Sequence, residues 1–132
     1  MKKIVTALGL ENNTELTDEH FGNSAYFGIY ELTEDSIRYI KRIDNVKVEE
    51  RMHGDPNKAG VIGSLLKEVD ALVAFRMGPN VLRMKKKFVS VIVNTRSVEK
   101  VKAVLVSNYS TILKEVGRIG DKNYITLKIK ED

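Results

Sequence analysis

Histidine occurs twice in this 132-residue chain, at His20 and His53, and cysteine does not occur. An imidazole ligates transition metals and is the side chain whose charge changes nearest neutral pH. His20 opens the triplet His20-Phe21-Gly22, followed by Asn23, between the acidic loop ENNTELTDE and an apolar, strand-like run. A second stretch, Arg76-Met77-Gly78-Pro79-Asn80, joins a guanidinium fork to a glycine that permits close backbone approach and an asparagine that can donate hydrogen bonds. If the two stretches meet, His20 faces Arg76 across a shallow anion-binding cleft. Gly22, Asn23, Gly78 and Asn80 would frame it, and a short helix begun at Pro79 would turn its N-terminus toward the anion. His53, in RMHGDP, adds a second imidazole if its loop folds over the rim, so His20 and His53 are the candidate metal ligands.

The elements that must bring these residues together can be read from periodicity. Residues 3–8 (KIVTAL) form a short apolar run, the pattern of a buried central strand, and 9–19 read as loop. Residues 26–32 and 36–43 read as two strands of a hairpin, the second with a wet face carrying Arg38 and Arg42. Residues 44–54 are charged and aperiodic, a loop. Asp55-Pro56 starts a helix through Glu68, with Ala59, Ile62, Leu65, Leu66 and Val69 on one side. Residues 70–75 form a fourth strand, apolar on both faces, followed by a turn and a short helix over 79–87. The basic residues Arg83, Lys85, Lys86 and Lys87 suit the C-terminal end of that helix. Residues 88–93 form a fifth strand. Ser97 caps a long helix stopped by Gly117, and 124–130 alternate like a final edge strand. Strands followed by alternating helix and strand predict a mixed sheet with helices on both faces. Ligands in such sheets collect at the carboxyl ends of the strands. The loop after the first strand and the 76–80 turn therefore share one rim, provided the first and fourth strands are parallel neighbours.

Composition narrows the function classes. With 42% apolar residues and this length, the chain is a folded single domain. No apolar run reaches the roughly 18 residues of a membrane span, and MKKIVTAL lacks the long apolar region of a signal peptide, so a cytoplasmic protein is expected. The absence of cysteine excludes disulfides, thiolate zinc sites and a cysteine nucleophile. A net charge of +4 favours anionic partners without requiring nucleic acid. The sequence shows no phosphate-binding loop, nucleotide fingerprint or Ser-His-Asp arrangement, and the first strand offers no carboxylate for two-metal chemistry. A protein that binds, and is not an enzyme, is the reading left.

His-Phe-Gly followed by a small pair and an aromatic strand, together with DPNKAGVIGSLLKEVDALVAFRMGPNVLRMKKKFVSVIV, resembles the dinitrogenase iron–molybdenum cofactor biosynthesis family, which includes small NifX-type proteins. The resemblance covers residues 3–116 in order and spacing, although GLENN stands where relatives carry a compact Asp-Gly turn. It implies an α/β/α, ribonuclease H-like sandwich with a mixed, mainly parallel five-stranded sheet and a C-terminal edge strand. Residues 1–117 would form the accessory-factor domain and 118–132 an extension. It further implies non-catalytic binding or carrying of an iron–sulfur cluster or iron–molybdenum cofactor, with His20 as cluster ligand and Gly22 and Gly78 beside it. Metal-cluster donor and acceptor proteins would be the partners, with no nucleic acid and no membrane. A regulatory or interaction module without metal remains the alternative, in which the edge strand at 124–130 would serve a partner or a homodimer.

Overall fold

The computed structural model describes residues 2–45, 56–82 and 84–130, with backbone alone at 56–60, 80 and 82. Strand β1 (Ile4–Leu10) is buried along nearly its whole length. It pairs antiparallel with β2 (Tyr26–Leu32) on one side and parallel with β4 (Ala71–Ala74) on the other. A strand hydrogen-bonded at both edges and covered on both faces must be apolar throughout, and IVTALGL is so apart from Thr6. The hydroxyl of Thr6 donates to the Tyr30 carbonyl at 3.1 Å, which satisfies its buried oxygen. Strand β3 (Ile37–Asp44) returns beside β2 through a turn closed by Thr33 N–H donating to Ser36 O at 2.9 Å. Strands β5 (Val89–Val93) and β6 (Ile125–Leu127) extend the other side in parallel. The six-stranded order is β3-β2-β1-β4-β5-β6, so the first and fourth strands are the parallel neighbours that a shared rim requires.

Alternation along the strands sorts two cores. On one face Ile4, Leu8, Tyr30, Val73 and Val91 meet Val101 and Leu105 of α3 (Val98–Ser107) and Ile112 of α4 (Tyr109–Val116). On the other, Ala7, Phe27, Ile29, Leu72 and Ala74 meet Ile62 of α1 (Pro56–Leu65), Val81 of α2 (Pro79–Leu82), Leu66, Phe88 and Phe21. The result is a three-layer α/β/α sandwich of the ribonuclease H-like kind. Among the described residues, no helix is long and apolar enough to cross a membrane.

Three helices depart from expectation. The helix read as continuous over 97–117 is two helices meeting at Asn108. The Asn108 amide donates back to Val104 O at 2.8 Å and its N–H serves carbonyls at the end of α3, the local competition by which asparagine interrupts helices. The expected start is correct, since Ser97 Oγ accepts from Lys100 N–H at 3.3 Å. Helix α1 ends at Leu65, not Glu68, because the chain turns there to enter β4, with Val69 N–H donating to Leu66 O. The described part of helix α2 is Pro79–Leu82, and it does not run on through Lys87 as one helix. Residues 84–87 form a turn, in which Lys87 N–H and Phe88 N–H both donate to Met84 O at 3.0 Å.

At the far end of α4, Arg118 donates to Glu115 through Nε at 2.9 Å and a second guanidinium nitrogen at 3.1 Å, and Asn123 N–H donates to the same carboxylate at 2.9 Å. This latch fixes the crossover that lays β6 against β5. Together the Arg118 side chain and then the Asn123 N–H hold the Glu115 carboxyl down at about 2.

Candidate functional site

The loop that delivers His20 is built by its own polar residues. Asn12 Oδ1 accepts from the Thr14 N–H at 2.9 Å and the Thr14 hydroxyl at 3.0 Å, forming a tight polar turn. The chain then folds back on β1, where Thr17 N–H donates to Gly9 O at 3.0 Å. Arg96, just past β5, clamps it: Leu16 N–H donates to Arg96 O at 2.8 Å and Arg96 Nε donates to Leu16 O at 2.9 Å. Glu15 pairs with the Arg96 guanidinium at 3.6 Å, so this acidic residue neutralises a structural cation.

From that anchor the chain reaches the carboxyl end of β4. His20 forms a parallel bridge with Arg76, and Phe21 N–H donates to Arg76 O at 3.0 Å. Phe21 is fully buried, its ring 5.0 Å from that of Phe27, and it opens a 3₁₀ turn at Phe21–Asn23. The turn is closed by Asn23 N–H to His20 O at 2.8 Å and by the Ser24 hydroxyl to Phe21 O at 2.6 Å. Burying the phenyl therefore fixes the backbone from which the imidazole projects.

The imidazole lies against Gly78. A Cβ at Gly78 would sit 2.8 Å from His20 Nδ1, 3.0 Å from Cγ and 3.1 Å from Cβ, well inside van der Waals contact. Glycine is thus required here by close approach and not by a special backbone angle. Arg76 is exposed at the same edge, its guanidinium carbon 5.9 Å from the Phe75 ring centroid. Gly22 is buried and Asn23 exposed. The structure thus brings His20, Gly22, Asn23, Arg76 and Gly78 together at one lip. Asn80 belongs to the adjoining α2 by its backbone, its side chain not being described. His53 lies outside the described residues.

One part of the expected site fails. A four-residue helix headed by proline has no appreciable macrodipole, and its first position has no N–H to offer. Sequence reasoning also passed over Gly9 and Asn45. A Cβ at Gly9 would lie 2.4 Å from Ser24 Oγ and 3.0 Å from Phe21 Cδ1, so this glycine admits the 3₁₀ turn to the sheet. A lone glycine inside an apolar strand is a signal for such close approach. Asn45 donates to the carbonyls of Gly22 at 2.9 Å and Ser24 at 2.8 Å, residues too distant in sequence for local pattern to reveal.

Among the described residues, no group of three or more histidines or carboxylates converges to hold a metal ion. What the lip offers is one imidazole, one exposed guanidinium and a surface kept low by glycine. That donor set suits a preassembled anionic cluster bringing its own sulfide ligands better than a bare divalent cation, which needs several protein ligands.

The sandwich and its rim therefore define a ribonuclease H-like domain with a histidine-bearing lip at the carboxyl ends of two parallel strands. The family model described as dinitrogenase iron-molybdenum cofactor matches residues 2–108, both halves of the lip included, and the chain belongs to that family. Among curated proteins, none matches the chain.

Proposed function

We propose that this protein binds and carries an anionic metal cluster, of the iron–molybdenum cofactor or iron–sulfur type, receiving it from a donor protein and passing it to an acceptor without chemical conversion. One observation supports this reading above the others: the imidazole of His20 rests on the Gly78 turn beside the exposed Arg76, at the end of two parallel strands. The imidazole would contact one metal of the cluster, while Arg76 and the net charge of +4 favour its negative charge. A single protein ligand leaves the cargo exchangeable, as a carrier needs. Residues 1–117 would form the binding unit, with 118–132 completing the sheet. His53 would be a second ligand only in a loaded form.

The experiment is an anaerobic titration of the purified protein with isolated iron–molybdenum cofactor, and separately with a reconstituted [4Fe–4S] cluster. Binding is followed by visible absorption and by metal and sulfide retained after gel filtration. His20→Ala is expected to lower retention at least tenfold, about 1.4 kcal/mol. Equal retention by wild type and His20→Ala would remove the lip from the function.

A further inference from the structure

The end of β3 touches the lip from a direction that the proposed cargo contacts do not use. Tyr26 pairs with Asp44, and this register sets Asn45, the next residue, beside the start of β2. From there the Asn45 amide nitrogen donates to two carbonyls of the turn that carries His20, Gly22 O at 2.9 Å and Ser24 O at 2.8 Å. These are the two N–H bonds its amide can give, and both go to one short segment. The orientation of the amide is determined, since reversing it would set an oxygen against two carbonyl oxygens. The amide oxygen left over is buried and has no hydrogen-bond partner among the described residues.

The geometry points to Asn45 as a positioning residue for His20. It bridges the carbonyls on either side of Asn23, and so holds closed the 3₁₀ turn whose first hydrogen bond accepts at His20 O. The imidazole has little room, being confined against Gly78 with Nδ1 2.8 Å from where a Cβ would stand. A small opening of the turn therefore moves the ring off the lip. Capping the two carbonyls also removes partial negative charge that would oppose an anion. The part of this inference that concerns cargo rests on the function proposed above, whereas the control of His20 by Asn45 does not.

The chain has only two histidines, so the imidazole signals in a proton NMR spectrum are assigned by comparison with His20→Ala. In Asn45→Ala the His20 signal and the amide signals of Gly22 and Ser24 are expected to shift while the fold persists. In Asn45→Asp a carboxylate faces the two carbonyls, so the same signals shift at neutral pH. Compared with wild type at the same acid pH, the Gly22 and Ser24 amide shifts become smaller as the carboxyl protonates and regains one donor. Affinity for a reconstituted [4Fe–4S] cluster, measured at neutral pH, falls about tenfold in both variants. A His20 signal unchanged in both variants overturns the inference. So do Gly22 and Ser24 amide shifts in Asn45→Asp that stay as large in acid as at neutral pH, each measured against wild type at the same pH, the mark of general loosening. If the wild type retains no cluster while the NMR changes appear as described, Asn45 still positions His20 and the carrier function is what fails.

Discussion

Replacing Gly78 with alanine tests the lip at its tightest contact. The added methyl carbon would stand 2.8 Å from His20 Nδ1 and 3.0 Å from Cγ, where an unstrained contact needs about 3.5 Å or more. The ring must retreat by about 0.7 Å or the 76–80 turn must move. The listless option, in which nothing moves, is closed by the 3.1 Å approach to the His20 Cβ. Because a half-buried side chain gives more easily than backbone, the cost to folding falls at the low end of overpacking, about 1–2 kcal/mol. That corresponds to a fall in Tm of about 3–8 °C. Much of this cost should vanish in a His20→Ala background, where the ring is gone, and such a thermodynamic cycle reports the contact directly. Functionally the displacement is large, since binding groups must be held to within about 0.5 Å. Cluster retention should drop about tenfold or more, with a shifted His20 NMR signal. If Gly78→Ala binds like wild type and leaves the His20 signal in place, the ring does not rest on this turn in solution and the argument for the lip fails.

Two further outcomes follow from the C-terminal latch and the edge it secures. The Glu115 carboxyl, held at about 2 by Arg118 and the Asn123 N–H, has a folded value below its unfolded one, so its stabilisation is complete above the ordinary carboxylate value and is lost as pH falls toward about 2. Glu115→Gln should therefore cost about 1–2 kcal/mol in urea unfolding at pH 7, with the difference from wild type shrinking between pH 4.5 and 2; a gap that widens in acid would contradict the latch. Deleting residues 118–132 removes β6 and bares the edge of β5, whose sequence VSVIV is almost wholly apolar. The truncated protein should self-associate in sedimentation velocity at concentrations where the full chain does not, and equal behaviour would show that β6 does not guard that edge.

Much of the sheet was legible because buried strands leave apolar runs and turns leave polar ones. The hairpin of β2 and β3, the central β1 and β4 and the edge position of β6 all follow from such runs. Helix ends were harder. Asn108 divides α3 from α4 through a side-chain bond to Val104, and a continuous apolar spacing across it gives no warning. The outer strand β3 is wetter than its pattern implied, with Tyr39 and Ile40 exposed as well as its arginines. For the lip, the rare histidine and the Gly-Pro turn pointed to two stretches that do meet in the fold. Asn45 and Arg96 stayed hidden, since both act through backbone carbonyls that any residue could supply.

The clamp between Arg96 and Leu16 has a consequence for biosynthesis. The loop presenting His20 is fastened by a residue translated long after it, and its other supports, Asn45 and Gly78, also come later in the chain. An emerging polypeptide that already displays the histidine still lacks the fastening until β5 has cleared the ribosome. The His20 loop therefore takes its final shape only after the second half of the sheet has been made.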